Sequence, residues 1–258
     1  MSNEKVVFIT ASGGGMGEAQ ARLFSNNGYK VYLTDINEKS IRTISKDINL
    51  HGGETAFSKL DVTDEKEWKK NLAKCIKKFK RIDVLCNNAG ANFRTGFENQ
   101  SFEMWNKIIS IGLSGTFLGI KNVTKYMKER GGVIINLGSL ASINSSDSSP
   151  GYSAQKMGLL GLTRSTALAY AKYKIRCVMI SPGHVDTPFV RSNNEYSPND
   201  WSTSIDNPIN YKKRLDKIPL GRFLEGLDIA KLFLFLASND AEMMTGNNIL
   251  IDGGTSII

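Results

Sequence analysis

The sequence predicts an α/β fold, a doubly wound parallel sheet of about seven strands with helices on both faces. Short apolar runs rich in β-branched residues alternate along the chain with longer helix-like stretches, the pattern of repeated βαβ units. The 258 residues, 41% of them apolar, are enough to bury one large core. Since no linker, internal repeat or low-complexity tract interrupts the alternation, we expect a single domain over residues 1–258.

The predicted strands lie at residues 5–10, 30–34, 55–60, 82–87, 132–138, 175–181 and 248–252. The first strand is followed by residues 18–27, which carry apolar residues at helical spacing and end at Gly28, a helix stop signal. Residues 188–215 break the alternation because they show little periodic pattern and scatter aromatic residues among polar ones. Long loops of this kind often act as lids, so we expect residues 188–215 to cover a substrate.

A glycine-rich turn lies between the first predicted strand and the first predicted helix. Glycine lets a backbone approach a diphosphate closely, and a helix N-terminus offers unpaired N–H groups to the negative charge. A tight turn without a ligand is the alternative interpretation. The predicted contact residues of this turn are Ser12, Gly13, Gly15, Met16 and Gly17.

Asp35 ends the second predicted strand, twenty residues after Gly15. A dinucleotide-binding fold places an acid at this distance, where it bonds the adenosine ribose. A carboxylate accepts the ribose hydroxyls and repels a 2′-phosphate, and the neighbouring Ile36 and Asn37 supply no cation. We therefore expect NAD rather than NADP as the cofactor. As an alternative or additional role, Asp35 could cap the next helix.

The chemistry of the predicted site comes from a tyrosine and a lysine. Tyr152 and Lys156 are four residues apart and lie on one face of a helix, while Ser139 precedes the tyrosine by thirteen residues. A nearby ammonium group lowers the pKa of a phenol from its usual ~10, so the phenol can exchange a proton with an alcohol or ketone. A surface helix with a solvated lysine would produce the same spacing.

In order and spacing, these motifs resemble the short-chain dehydrogenase/reductase family. The family's cofactor loop is similar to residues 10–17, its NNAG segment to residues 87–90, and its catalytic trio to Ser139, Tyr152 and Lys156. The resemblance implies a Rossmann-like fold and hydride transfer between NAD(H) and a secondary alcohol or ketone, with the tyrosine as general acid/base. It also implies further cofactor contacts, at Ile36, Asp61, Val62, Asn88, Ala89, Gly90, Tyr152, Lys156, Pro182, Gly183, Val185 and Thr187.

Two departures from the family pattern affect the interpretation. Ala11 replaces the first glycine of the cofactor loop; alanine fits only if φ is negative, and we expect little effect on binding. Gly112 replaces an asparagine that, by the resemblance, binds a water in a proton relay. Gly112 is the one feature that favours a first alternative, a regulatory protein that binds a nucleotide without turnover. The carboxyl-terminal half resembles most a second alternative, a 3-oxoacyl-[acyl-carrier-protein] reductase-like enzyme using NADPH.

The resemblance places the substrate pocket next to the catalytic trio. Its expected residues follow the ends of predicted strands and are Phe93, Arg94, Leu140, Ile143, Asn144 and His184. The substrate itself is not identified by the sequence. No metal site is expected, because the two histidines and three cysteines form no metal-binding set. The resemblance further implies a homotetramer built on helices around residues 101–128 and 153–171 and on the carboxyl terminus.

The net charge of +8 raises the question of nucleic-acid binding. Much of this charge lies between residues 66 and 81, where apolar residues recur at helical spacing. We interpret this stretch as an amphipathic helix with a solvated basic face and expect no nucleic-acid partner. The sequence has neither an apolar signal-peptide core nor a run long enough to span a membrane, and its cysteine content is compatible with a reducing compartment. We expect a cytoplasmic protein that does not bind membranes.

Overall fold

The computed structural model describes residues 4–258, so residues 1–3 of the predicted domain lie outside the described part. Seven parallel strands form one sheet in the order β3-β2-β1-β4-β5-β6-β7. They are β1 (Val6–Ile9), β2 (Lys30–Asp35), β3 (Thr55–Lys59), β4 (Val84–Asn87), β5 (Gly132–Leu137), β6 (Ile175–Pro182) and β7 (Asn248–Ile251). The predicted doubly wound sheet is confirmed, and each predicted strand end lies within two residues of the observed one.

Helices cover both faces of this sheet. They are α1 (Gly15–Asn26), α2 (Glu38–Leu50), α3 (Glu65–Phe79), α4 (Phe102–Ile109), α5 (Gly115–Met127), α6 (Pro150–Tyr170), α7 (Pro188–Arg191), α8 (Pro208–Leu215) and α9 (Gly226–Ala237). A π-helical turn at Ser110–Ser114 joins α4 to α5. The strand order reverses between β1 and β4, which is the switch point where doubly wound sheets bind ligands.

Strand β1 shows why the sheet needs two helical layers. Successive side chains of a strand point to opposite faces, so Val7 and Ile9 pack in one apolar cluster with α1, α2 and α9. Val6 and Phe8 pack on the other face with α3 and α5. All four side chains are fully buried, so neither face of β1 is open to solvent.

The basic stretch forms α3, as predicted. Trp68, Leu72 and Phe79 lie on its buried side, while the lysines of the helix are exposed. Asp64 caps the helix by accepting hydrogen bonds from the N–H groups of Lys66 and Glu67. Among the described residues, no helix combines the length and apolar character that crossing a membrane requires.

The segment at 188–215 is less irregular than predicted, because it contains α7 and α8. Helix α8 begins after Asn207, whose side chain accepts a hydrogen bond from the N–H of Ile209, and Pro208 occupies its first turn. These local start signals form a helix of eight residues, which is too short to show a clear apolar period.

Candidate active site

The turn between β1 and α1 approaches its own backbone too closely for side chains. A Cβ atom on Gly17 would overlap the carbonyl group of Ala11, so only glycine fits there. The N-cap of α1 is Gly14, which supplies no side-chain cap and leaves the first N–H groups of the helix available to a ligand. This arrangement fits the predicted anion-binding turn.

Ala11 has a φ of 49°, so the condition of a negative φ, under which an alanine would fit this position, is not met. The turn needs the left-handed conformation there, and an L-residue adopts it at a cost of ~1–2 kcal/mol. The alanine therefore carries strain that the glycine it replaces would avoid.

We expect Ala11→Gly to stabilise the protein. Glycine makes the unfolded chain more flexible, which lowers the free energy of unfolding by ~0.4–1 kcal/mol. Relief of the strain of a left-handed alanine outweighs this loss. The net gain of up to ~1 kcal/mol corresponds to a rise in Tm of ~2–4 °C, measurable by thermal unfolding. Ala19→Gly inside α1 is the matched control and should lower Tm, because a helical alanine gains nothing from the exchange. A fall in Tm for both variants would contradict the strain at Ala11.

Two predicted cofactor residues are held by hydrogen bonds within the protein. Ser12 is fully buried, and its hydroxyl donates to the Thr34 carbonyl at 3.1 Å, so its side chain does not face a cavity. The Asn88 amide donates to the Thr10 carbonyl at 3.0 Å and to Gln20 Oε1 at 2.8 Å. Both side chains fasten the turn to neighbouring elements.

Asp35 is bonded directly to the glycine turn. Its Oδ2 accepts a hydrogen bond from the Gly13 N–H at 2.9 Å, and its Oδ1 accepts one from the Asn37 N–H at 2.8 Å. The N-cap of α2 is Asn37, whose side chain accepts from the Ser40 N–H, so the helix-capping role considered for Asp35 is wrong. The carboxylate instead stands beside the turn at the end of β2.

Three cavities follow the carboxyl edge of the sheet. The first, of about 430 Å³, contains the predicted residues Asp35, Ile36, Asp61, Val62, Ala89 and Gly90. The second, of about 330 Å³, contains Gly13, Gly15, Met16, Gly17, Asn88, Gly90, Tyr152, Lys156 and Thr187. The third, also of about 330 Å³, contains Met16, Ser139, Tyr152, Pro182, Gly183, His184, Val185 and Thr187. Each of these cavities shares lining residues with the next, so the three lie side by side and are together called the cleft, which brings most of the predicted site together.

Lys156 lies in the wall of the second cavity. Its ammonium donates to the Leu137 carbonyl at 2.6 Å and stands 5.4 Å from the centre of the Tyr152 ring. Burial disfavours the charged amine and lowers the pKa of Lys156 to about 7. Lysine and tyrosine thus lie on one face of α6, as the spacing predicted.

The pKa of Tyr152 differs in direction from the one that the sequence indicated. Burial of the phenol raises this pKa, while a hydrogen bond with Ser139 and the charge of Arg94 act in the opposite direction. Burial dominates because a phenolate loses hydration when it leaves water. Ser139 and Arg94 therefore offset part of the rise in the pKa of Tyr152, a role that the sequence had suggested for Lys156.

The position of Gly112 in the π-helical turn is filled by a side chain from α6. A Cβ atom on Gly112 would lie 2.5 Å from Cδ of Gln155, so the glutamine amide occupies the space that a side chain at 112 would need. Gln155 is fully buried, and neither of its polar atoms has a hydrogen-bond partner within the described chain. An amide group is therefore present beside Gly112, although it comes from another helix.

A comparison with family models gives a match over residues 10–256, to the model described as "Enoyl-(Acyl carrier protein) reductase". The chain belongs to the short-chain dehydrogenase/reductase family. Members of this family are oxidoreductases that generally bind NAD or NADP.

This short-chain dehydrogenase/reductase has relatives of similar length. It is 35% identical over 257 residues to trans-4-hydroxycyclohexanecarboxylate dehydrogenase of Sinomonas cyclohexanicum, covering 97% of the chain and 92% of the relative. It is 34% identical over 254 residues to 2,5-dichloro-2,5-cyclohexadiene-1,4-diol dehydrogenase LinX of Sphingobium indicum, covering 98% and 96%. It is 33% identical over 254 residues to 3-oxoacyl-[acyl-carrier-protein] reductase FabG of Thermotoga maritima, covering 98% of each.

The crystal structure of gox2181 superposes on the chain with a TM-score of 0.91. The match covers 99% of this chain and 96% of that one at 24% sequence identity, so it shows the fold alone. The short-chain dehydrogenase/reductase also fits a dinucleotide in its own geometry: the uncapped start of α1 and the Asp35 carboxylate lie along one cleft that reaches Tyr152.

Several residues predicted for the substrate pocket of this short-chain dehydrogenase/reductase do not line the three cavities. Phe93 is buried in a small apolar cluster with Ala91 and Ile108, and it does not line the three cavities. Leu140 and Ile143 do not line them either, because a 3₁₀ turn at Leu140–Ser142 brings Ala141 to the third cavity instead. Asn144 is also outside the three cavities, whereas His184 and Arg94 lie in the third.

Sequence reasoning missed several residues of the cleft. Arg214 of α8 lines the third cavity, and Lys107 of α4 lines the first. Tyr196, an aromatic residue of the segment predicted to cover the substrate, also lines the first cavity, and its carbonyl accepts a hydrogen bond from the Asn92 N–H at 2.8 Å. No local sequence signal marks Arg214 or Lys107, since the position of Arg214 depends on how the segment after β6 folds over the cleft and that of Lys107 on how α4 packs beside it. Within residues 4–258, no three His, Cys, Asp or Glu side chains form a group that could hold a metal ion.

Proposed function

We propose that the protein is an NAD(H)-dependent oxidoreductase that interconverts a secondary alcohol and a ketone. The observation that carries this proposal is the meeting of Ser139, Tyr152 and Lys156 at the junction of two cavities, in a cleft that continues to Asp35. We also propose that residues 1–258 act as one NAD-binding domain, with the segment at 188–215 as the cover of the substrate.

The proposed mechanism uses each side chain of the trio. A bound nicotinamide supplies the acceptor or donor of the hydride. Ser139 donates a hydrogen bond to the substrate oxygen, and Tyr152 takes the hydroxyl proton in oxidation or returns it in reduction. Lys156 would hold a ribose hydroxyl of the bound dinucleotide and, when charged, favours the phenolate of Tyr152. Because the side chain of Lys156 is buried, its charge acts on Tyr152 more strongly than it would in water.

The names of two relatives support a ring alcohol as the substrate. One relative is named for a hydroxycyclohexanecarboxylate and the other for a cyclohexadiene diol, so both named substrates carry a hydroxyl group on a six-membered ring. A cavity of about 330 Å³ at Ser139 and Tyr152 has room for a molecule of that size. We therefore propose a cyclic secondary alcohol or the matching ketone.

The test of this proposal is the absorbance of reduced nicotinamide during incubation with NAD or NADP and a panel of secondary alcohols. The panel contains ring alcohols, polyols, hydroxysteroids and 3-hydroxyacyl thioesters. Turnover of a ring alcohol with NAD is the expected result. Turnover restricted to 3-hydroxyacyl thioesters with NADP would instead support the acyl-reductase alternative, which the likeness to FabG favours. Dinucleotide binding without turnover of any substrate would support the regulatory alternative.

We expect Asp35→Asn to reduce the preference for NADH over NADPH by about 10-fold or more. The amide oxygen of asparagine still accepts the hydrogen bond from the Gly13 N–H, but the charge that repels a 2′-phosphate is gone. The resulting change in relative binding free energy should be similar in size to a charge-assisted hydrogen bond. The two dissociation constants are measured by fluorescence of the bound dinucleotides. Asp240→Asn, at an exposed position away from the cleft, is the control. An unchanged preference in Asp35→Asn would remove the argument for NAD.

We further propose a cytoplasmic homotetramer that binds neither membranes nor nucleic acid. Exposed apolar side chains on the predicted assembly helices support the tetramer, among them Phe117 on α5 and Leu168 on α6, with exposed fractions of 48% and 84%. Light scattering after size exclusion measures the assembly. Leu168→Lys should reduce the measured mass if α6 forms an interface, and an unchanged tetramer would place the interface elsewhere.

A further inference from the structure

Two arginines in the third cavity lack an acidic partner. Arg94 and Arg214 are both partly buried, and neither forms an ion pair within the described part of the chain. One nitrogen of Arg94, Nη1, donates to Ser197 Oγ at 2.9 Å and to Asn199 Oδ1 at 3.0 Å. Nη2 of Arg214 donates to the Thr203 carbonyl at 2.8 Å. These acceptors are all neutral, so two cationic groups remain without a compensating charge.

Neighbouring arginines show a different arrangement. Arg191 lies in the same segment and forms ion pairs with Asp186 and Asp206, while Arg222 pairs with Asp228. The third cavity, by contrast, has no aspartate or glutamate in its lining. Because a buried charge without a counterion is costly, an uncompensated pair of arginines in a cleft is expected to have an anionic ligand.

The two charges act on each other and on the predicted chemistry. Burial is the main cause of the lowered pKa of Arg94, and the charge of Arg214 lowers it further. Burial likewise lowers the pKa of His184 to about 4, with smaller contributions from the charges of Arg214 and Lys217. The charge of Arg94 acts on the phenol of Tyr152. His184 is thus neutral at pH 7 and adds no further charge, and the positive field of the cavity comes from the arginines.

We propose that Arg94 and Arg214 form a carboxylate-binding subsite and that the substrate is a small hydroxy acid or the corresponding oxo acid. The proposal rests on the proposed function, since it assigns the substrate class of the same site. The planar guanidinium group presents paired donors that match the two oxygens of a carboxylate. Within the described chain, the hydrogen bonds of Arg94 use Nη1 and leave Nε and Nη2 for a ligand. The acid group binds the arginines while the hydroxyl-bearing carbon lies at Ser139 and Tyr152.

The experiment compares a charged ligand with a neutral one of the same shape. Cyclohexanecarboxylate and cyclohexanecarboxamide are titrated by calorimetry into the full-length protein saturated with NADH. The wild type is expected to bind the carboxylate at least 10-fold more tightly than the amide. In Arg94→Met and in Arg214→Met, the ratio of the two affinities should fall by about 10- to 100-fold, the range for loss of hydrogen bonds to a charged group.

Control variants separate this role from a purely structural one. Arg130→Met removes the same charge at an exposed position after α5 and should leave the affinity ratio unchanged. Arg94→Lys and Arg214→Lys keep the charge and lose the planar donor pair, so their ratios should lie between those of the wild type and the methionine variants. If either methionine variant fails to fold, the lysine variants still allow the affinities for carboxylate and amide to be compared.

Two outcomes would overturn the subsite. One is equal binding of carboxylate and amide by the wild type, or no binding of either. The other is an equal loss of affinity for both ligands in the arginine variants, which would mean that the arginines only hold the covering segment in place. The binding test is independent of turnover. Tyr152-dependent turnover of neutral alcohols without carboxylate binding would therefore refute the subsite alone, whereas arginine-dependent carboxylate binding without turnover of any alcohol would refute the proposed reaction alone.

Discussion

Replacement of Tyr152 by phenylalanine is expected to reduce turnover by about 10²–10⁴-fold or more while leaving NADH binding nearly unchanged. In the proposed mechanism, the Tyr152 hydroxyl is the group that exchanges a proton with the substrate, and phenylalanine lacks it. General acid/base catalysis typically contributes rate factors of this size. The phenyl ring retains the packing of Tyr152 in the second and third cavities. Steady-state rates and NADH fluorescence titrations of the same preparations measure the two effects.

The pH dependence of the wild type gives a second measurement of this role. Burial outweighs the hydrogen bond with Ser139 and the charge of Arg94, so the pKa of Tyr152 is raised and the phenol is protonated at neutral pH. Oxidation needs the phenolate, and its rate should therefore rise with pH, whereas reduction needs the phenol and should fall over the same range. Tyr126→Phe on α5 is the matched control and should retain activity. Full activity in Tyr152→Phe would refute the assignment.

Gly112→Asn is expected to destabilise the fold, because the new side chain would occupy the volume of the Gln155 amide. The Cβ atom alone would lie 2.5 Å from Gln155 Cδ, and overpacking of a buried site typically costs ~1–3 kcal/mol. We expect a decrease in Tm of roughly 2–12 °C, given ~2–4 °C for each kcal/mol in a chain of this size. Gly161→Asn on α6 is the control, since a Cβ atom there meets nothing within 4 Å.

A double-mutant cycle identifies the collision as the cause. Gln155→Ala removes the amide, so Gly112→Asn combined with it should be more stable than the sum of the single variants by ~1 kcal/mol or more. Additive effects would show that the two positions do not compete for space. The same double variant tests whether the glycine at position 112 slows turnover by interrupting the proton relay, because it places an asparagine there without overlap with Gln155. Turnover that is unchanged or lower in the double variant would contradict this effect of Gly112.

The sequence predicted the strands well because each strand is a short apolar run bounded by turn residues. The glycine turn, Asp35 and the trio were also found in one cleft, since motifs at the carboxyl ends of parallel strands meet at one edge. Their proposed roles stay predictions. The sequence could not show that Ala11 lacks the negative φ an alanine needs to fit, because backbone conformation in a turn depends on close contacts that spacing does not reveal.

Side chains from distant parts of the chain were harder to predict. Gln155 fills the space beside Gly112 only because α6 packs on the π-helical turn, and a pattern of residue types contains no information on that crossing. Arg214 reaches the third cavity through α8, which lies in a segment without clear periodicity. The pKa of Tyr152 depended on the balance between burial and neighbouring charges, which requires the three-dimensional arrangement.

The hydrogen bond from the Gly13 N–H to Asp35 constrains how this protein could evolve a different cofactor preference. A lineage that replaced Asp35 by a small neutral residue would admit a 2′-phosphate but would also release the turn that faces the diphosphate. Exclusion of a 2′-phosphate and the conformation of the glycine turn therefore both depend on the side chain of Asp35. Intermediates that keep an acceptor at position 35, or that first gain another tether for Gly13, provide the accessible route between the two specificities.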